Sequence, residues 1–317
     1  MNSVLKPVDS PDVAASVETS DAPAFAVCIT TMNRTATLAA CLDNLARGVP
    51  RAACIVVSDD SPDPAMRAAN AAVVALHPGV VWLEGPRRGV CANRNNAVRH
   101  CLAHAPHCEY VSFVDDDVQI ATDFFAVARA RLDSLPPERR QRVMLTGGSS
   151  SGAAQPECHP VRLSFSGYFM AADEPQCVNI HAAVFPLALF RSDSWDENIF
   201  FGVEDAELSL RALKKGYSID LVPALRAVDT MPGTGVIENA PRGSRGISVY
   251  RQHCEAARLY VGVKRYRVID PSVVKYVAFL TTYFAHLTLY LAKRRALSSL
   301  VPIVRMSNVR RAAAMPR

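Results

Sequence analysis

Residues 110–120 read YVSFVDDDVQI. A short apolar run, Tyr110-Val111-Ser112-Phe113-Val114, ends in three adjacent carboxylates, Asp115, Asp116 and Asp117. A run of that length bounded by polar residues predicts a buried strand. Three carboxylates at its end repel one another unless something compensates them. A hard divalent cation such as Mg²⁺ or Mn²⁺ would, because it takes carboxylate oxygens and bridges substrate phosphates. An ordinary acidic turn is the plain alternative. A phosphatase with a strand-terminal Asp-x-Asp is a third reading, but that chemistry expects a hydroxyl or small apolar residue where Gln119 stands.

Working outward, similar strand-ends recur. FAVCITTMNR (25–34) is an apolar strand breaking into Thr30, Thr31, Asn33 and Arg34. Leu38, Cys41, Leu42 and Leu45 then fall on one helix face, with Thr35 as the expected N-cap and Gly48 as the stop. ACIVVSDDSPDP (53–64) gives a second strand over 54–57 that ends in Asp59 and Asp60, and VVWLEGPRRG (80–89) gives a third strand and a loop. Ala97, Val98, Cys101 and Leu102 mark a helix before the opening strand. Thr122 is expected to cap the helix after it, and VMLTGG (143–148) is a further strand. Strands alternating with helices predict an α/β fold with a mostly parallel, Rossmann-like sheet flanked by helices. Its ligand crevice lies beyond the carboxyl ends of the strands, where these polar residues collect.

A last element is SWDENIFFGVEDAELSLRALKKGYSI (194–219). Trp195, Phe200 and Phe201 suggest an apolar wall, Gly202 a tight turn, and Glu204 and Asp205 the first turn of a helix. Acids belong there for the helix dipole alone. The same position also suits a general base beside an aromatic platform for a sugar ring.

Together these elements resemble the family 2 glycosyltransferases, with the nucleotide-sugar-binding glycosyltransferase A fold. The resemblance runs over about residues 24–230. It rests on CITTMNR, IVVSDDSPD, GPRRGVCANRNNAV with Arg94-Asn95, VSFVDDDV, and WDENIFFGVEDAELSLRALKKGY with Arg211 and Gly216-Tyr217. It implies a nucleotide pocket of Thr31, Asn33, Arg34, Asp59, Asp60, Arg94, Asp115 and Asp116. It implies a Mn²⁺ or Mg²⁺ site at Asp117 with Asp115, and Asp205 as general base with Glu204 beside it. Many family members carry a metal-ligating His after the Glu-Asp helix. Asp229 occupies that place here and is the expected third metal ligand. Arg242 and Arg245, in NAPRGSRGISVYRQ (239–252), would fold over the diphosphate. Asn179, His181 and Trp195 are candidates for the acceptor side.

The 317 residues are half hydrophobic, enough for one large catalytic domain, expected over 24–235. Residues 1–23, Ser-, Asp- and Pro-rich without periodicity, read as a disordered leader. Nine cysteines without CxxC spacing read as reduced thiols. RHCLAHAPHC (99–108) holds zinc-type ligands, yet Cys101 continues an apolar helix face, so a structural zinc is set aside. The net charge of +5 is uneven. From Tyr260 to Arg317 there are eleven Lys/Arg and one acid, Asp270. That basic, helical C-terminal part (236–317, a flexible loop followed by helix) includes YVAFLTTYFAHLTLYLA (276–292), which is short and polar for a membrane span. A helix lying on an anionic membrane surface and a helix packed on protein both fit it.

The resulting expectation is an inverting enzyme that moves a sugar from a nucleotide-sugar donor, a UDP-sugar, to a hydroxyl of a glycan or lipid-linked acceptor. It would be cytoplasmic, peripheral at the inner face of the plasma membrane, with no nucleic-acid partner. A nucleotidyltransferase would need a Gly-rich loop with a basic residue after the first strand, which TTMNRTAT lacks. A non-catalytic nucleotide-sugar-binding or scaffold protein is the other alternative.

Overall fold

The computed structural model describes residues 24–151, 158–231 and 246–316. The leader over 1–23 and the candidate residues Arg242 and Arg245 lie outside them. The chain runs β1 (Phe25–Thr31), α1 (Thr35–Ala46), β2 (Cys54–Asp59), α2 (Pro64–Ala75), β3 (Val80–Glu84), α3 (Val90–His104), β4 (Tyr110–Asp115) and β5 (Val118–Ile120). It continues through α4 (Phe124–Asp133), α5 (Pro137–Arg140), β6 (Val143–Ser151), β7 (Val161–Leu163), β8 (Phe169–Ala171), a 3₁₀ turn (Ile180–Ala182), β9 (Ala183–Pro186), α6 (Leu189–Ser192), α7 (Glu204–Lys214) and β10 (Ser218–Asp229). The C-terminal part is helical: α8 (Val249–Lys264), a π turn (Arg265–Ile269), α9 (Val273–Lys293), α10 (Leu300–Met306) and α11 (Val309–Ala314).

Eight strands form one sheet in the order β3-β2-β1-β4-β9-β6-β10-β5. β3, β2, β1 and β4 are mutually parallel, as are β6 and β10. β9 runs antiparallel between β4 and β6, and β5 runs antiparallel on β10. Period-2 alternation explains why β1 is apolar throughout: Phe25, Val27 and Ile29 enter the core on one face, Ala26 and Cys28 the core on the other. β2 and β4 flank β1 and connect in opposite directions, so the chain opens a crevice at their carboxyl ends. Register then sets Thr30 beside Asp115 and Thr31 beside Asp59.

Local starts differ from the sequence reading. α1 is capped at Arg34, because the Thr35 hydroxyl donates to Asn70 Oδ1 at 2.7 Å. Asp123 rather than Thr122 precedes α4, and α3 begins at Val90, directly after Gly89 at φ 94°. The cysteines are free thiols, mostly buried. Among the described residues no three His, Cys, Asp or Glu side chains gather as a metal site. Cys101 and Cys108 sit in the core, which fits the thiols being packing groups.

The C-terminal helices share the core of the sheet's α3/α7 face: Leu259, Tyr260, Phe279, Tyr283 and Leu287 join Phe185 and Trp195 in one cluster. α8 and α9 cross where Gly262 leaves room for the Phe279 ring. A Cβ there would stand 1.9 Å from Phe279 Cζ. Gly262→Ala is therefore expected to lower stability by about 1–3 kcal/mol through overpacking, read as a shift in the urea midpoint. Lys264 pairs with Asp196 and Glu207, which ties α8 to α7.

Candidate active site

The crevice holds a cavity of about 480 Å³, lined by Thr30, Thr31, Arg34 and Asp60, by the three aspartates, His181, Arg87 and Asp229, and by Phe200, Phe201 and Tyr250. That volume lies in the range of small-molecule sites.

The second strand-end sorts its two carboxylates. Asp59 is fully buried, accepting from Ser61 N at 2.9 Å, from the Ser61 hydroxyl and from Asn70 Nδ2 at 2.9 Å. It shapes the turn and does not line the cavity, contrary to its expected role with the nucleoside. Asp60 lines it and accepts from Arg87 N at 2.8 Å. Burial pushes its carboxyl above the ordinary range, against hydrogen bonds from the 87–89 backbone. Gly85 makes room for this carboxylate, since a Cβ would stand 2.3 Å from Asp60 Oδ1. Asn33, also expected in the pocket, is exposed beside it. It holds a left-handed turn (φ 58°) while its N–H donates to Ser61 Oγ at 2.8 Å. Asn tolerates that conformation better than most side chains.

The aspartate triplet is divided among separate partners. Asp115 accepts from Thr30 Oγ1 at 2.9 Å and from Arg94 Nη2 at 3.2 Å, with His181 Nε2 3.9 Å away. Burial alone would raise its carboxyl, but Arg94 foremost and then His181 bring it below the usual range. Asp116 accepts from Thr31 Oγ1 at 2.6 Å and from Arg34 at 3.0 Å. Burial dominates there and pushes it up to about 7. Asp117 pairs with Arg34, and its carbonyl accepts from Thr230 N at 2.9 Å. That last bond lays Asp117 beside the end of β10, where Asp229 is in register with Val118.

All three carboxylates of the expected metal set, Asp115, Asp117 and Asp229, line the cavity. Asp115 is held by Arg94 and Thr30, and Asp117 by Arg34. Asp117 and Asp229 both face the cavity. Two carboxylates are what a Mg²⁺-type ion takes from a protein when substrate phosphates and water complete its shell, so the donor set fits such an ion together with a diphosphate.

Arg94 is not a nucleotide contact either. It is 2 % exposed, donates from Nη1 to Glu204 Oε1 at 2.9 Å, and lies 5.0 Å over the Trp195 ring. Glu204 also accepts from Gly202 N at 2.8 Å, so this buried carboxylate anchors the start of α7. Trp195, a candidate for the acceptor side, is fully buried against Phe113, Phe185 and Phe190. Asn179 is absent from the cavity wall. Its Nδ2 donates to Ser149 Oγ at 2.8 Å and its Oδ1 caps the turn that carries His181, which does line the cavity.

Asp205 follows Val203, which takes a left-handed conformation (φ 53°) that is strained for a β-branched residue. Its carboxylate accepts from Ala206 N at 2.8 Å. Burial first, and then the neighbouring Glu204, push it up to about 7. It is not on the cavity wall itself. It opens α7 just after the aromatic pair Phe200–Phe201, which forms the mouth. Phe200 stacks on His253 at 4.5 Å, and Phe201 meets Tyr250 at 5.2 Å. Sequence reasoning missed Arg87 and Tyr250. Arg87 belongs to GPRRG, a quoted motif, where its positive φ (55°) turns the backbone toward Asp60. Tyr250 comes from the start of α8 and lies inside the quoted segment 239–252, where only Arg242 and Arg245 were singled out.

Comparison with known proteins agrees with this architecture. The structure is similar to GalNAc-T7 solved with UDP, GalNAc and Mn²⁺, at 13% identity, covering 87% of this chain and 59% of that one, with a TM-score of 0.59. It is similar to the mannosyltransferase PcManGT of Pyrobaculum calidifontis in complex with GDP-Man and Mn²⁺, at 18% identity, 94% and 77% coverage and a TM-score of 0.54. It is also similar to S. aureus TarS, at 16% identity, 82% and 43% coverage and a TM-score of 0.52. The chain thus spans less than half of the TarS chain, and at these identities the likeness is one of fold. That fold is the glycosyltransferase A type. Residues 26–138 match the model of glycosyl transferase family 2, the segment that holds β1 to β5 and all three aspartates. No curated protein matches the chain.

Proposed function

We propose that this protein transfers a sugar from a nucleoside diphosphate sugar, a UDP-sugar in the first instance, to an acceptor hydroxyl of a glycan or lipid-linked acceptor. The carrying observation is the single cavity in which a buried carboxylate for a nucleoside (Asp60), two carboxylates suited to a cation (Asp117 and Asp229) and an aromatic mouth (Phe200, Phe201, Tyr250) meet. Asp60 accepts from a base N–H or a ribose hydroxyl, and Thr31 and Arg34 line the same cavity. Asp117 and Asp229 would hold a divalent ion, which would supply charge stabilisation for the diphosphate leaving group. Asp205 takes the proton of the acceptor hydroxyl, which attacks the anomeric carbon from the face opposite the diphosphate and so inverts it.

Thermal unfolding tests the donor half. UDP with Mn²⁺ at a hundred times its dissociation constant is expected to add about 2.7 kcal/mol of stability. Asp117→Asn is expected to lose the Mn²⁺-dependent part of that gain. A gain from GDP, dTDP or CMP instead of UDP would reassign the base. No gain with any nucleotide in folded protein would refute the reading.

A further inference from the structure

A second surface, remote from the cavity chemistry, is left apolar. Ten of the fifteen exposed large apolar side chains among the described residues lie on two adjoining pieces: four on the β7–β8 hairpin and six between α9 and α10. Inward, α9 packs by Phe279, Tyr283, Leu287 and Leu291. Outward, it shows Val274 (80 % exposed), Val277, Ala285 and Leu289 (71 % exposed), with no charged residue on that stripe. Two of the threonines there, Thr281 and Thr282, hide their polarity. Thr281 Oγ1 donates to Val277 O at 3.0 Å and Thr282 Oγ1 to Ala278 O at 2.8 Å, so neither hydroxyl needs water. The hairpin is held against the same helix: Tyr168 meets His286 at 3.2 Å, and Arg258 lies between the rings of Tyr168 and Tyr283. This leaves Phe169 and Met170 exposed on the hairpin.

Cations border this face. Lys275 and Lys293 are eighteen residues apart, which is five helical turns, so both stand on the same edge of the stripe about 27 Å apart. Arg294 and Arg295 extend the second group, and both are exposed. Lys275 is paired with Asp270, but an exposed pair of that kind is weak. Among the described residues no helix is long and apolar enough to cross a membrane. A mostly apolar stripe with a cationic edge fits a helix that lies flat in a lipid interface.

We infer that the outer face of α9, with the β7–β8 hairpin beside it, docks the protein on an anionic phospholipid surface. The charge favours this occupant over a second copy of the chain, because each face is bordered by Lys275, Lys293, Arg294 and Arg295 against the one acid Asp270, so two such faces would repel.

The test is co-sedimentation of the full chain with vesicles of phosphatidylcholine alone and of phosphatidylcholine with phosphatidylglycerol, at low and high salt. Binding is expected only to the anionic vesicles and to weaken with salt. Lys293→Glu with Arg294→Glu is expected to reduce affinity by about fivefold or more per cation. Leu289→Asp is expected to abolish binding while thermal unfolding stays unchanged, because the position is exposed. Wild-type protein remaining in the supernatant at low salt would overturn the inference. So would a wild-type dimer that Leu289→Asp dissociates without altering vesicle binding. Vesicle binding is read without substrate, so its failure is separate from any failure of the proposed transfer reaction.

Discussion

Replacing Arg94 by methionine is expected to lower the stability of the folded protein by about 3–5 kcal/mol, the usual result of removing one partner from a buried ion pair. The guanidinium joins Asp115, at the end of β4, to Glu204, at the start of α7, and is itself almost wholly buried. Without it two carboxylates share a desolvated space with no cation between them. The pH dependence identifies the cause. Arg94 holds Asp115 below its ordinary pKa. A depressed carboxylate contributes stability that is present above its unfolded pKa, near 3.8, and is lost as pH falls through the folded value. The gap between wild type and Arg94→Met should therefore be full near neutrality and should narrow toward pH 4, where the variant's carboxyls can take protons. Arg94→Lys keeps a charge but cannot span both carboxylates, so its loss should be smaller. Urea unfolding at pH 7.5 and pH 4 measures all three proteins. Equal midpoints for Arg94→Met and wild type at pH 7.5 would show that the bridge carries no net stability.

The sequence made the strand-ends legible because they obey two local rules: apolar runs of strand length, then polar residues where the chain leaves the sheet. Thr31, Arg34, Asp60, Asp116 and Asp117 reach one cavity for that reason, whereas Asp229 was expected from the resemblance and His181 comes from the 3₁₀ turn ahead of β9. What local rules do not contain is which way a side chain turns once its neighbours arrive. Asp59 and Asp60 are adjacent acids in a turn, and Asn70, eleven residues on, captures the first and leaves the second to the cavity. Arg94 and Trp195 read as site residues from their motifs, yet long-range packing makes them a buried stack under the site. β9 has no signal of its own, because AVFP is four residues long and wholly buried, with no apolar–polar alternation. Its antiparallel place between β4 and β6 is set by pairing, not by its own pattern. The face of α9 was the one place where two sequence readings both survive, because its inner stripe packs on protein while its outer stripe does not.

Asp205→Asn is expected to lower the transfer rate by about a hundred- to ten-thousand-fold, the contribution of a positioned general base, and to leave nucleotide binding intact, since Asp205 is not part of the cavity wall. Wild-type activity should rise with pH through about 7, where burial and the adjacent Glu204 place this carboxyl, because only the ionised form accepts a proton. The residual activity of the variant should lack that rise. Stability should move the other way. A carboxyl whose folded pKa is raised above 3.8 binds more protons in the native state than in the unfolded chain between the two values. Wild type therefore loses stability as pH climbs across that window. The variant carries no such charge, so it should be the more stable protein at pH 8 and differ little at pH values below the unfolded pKa. One substitution thus separates two explanations. A variant that is slow and also unfolds early would indicate damage to α7. A variant that is slow, binds UDP with Mn²⁺ as wild type does, and gains stability at alkaline pH would assign the proton transfer to Asp205. Full activity in Asp205→Asn would remove the base from the proposed mechanism and favour a nucleotide-sugar-binding role for the cavity.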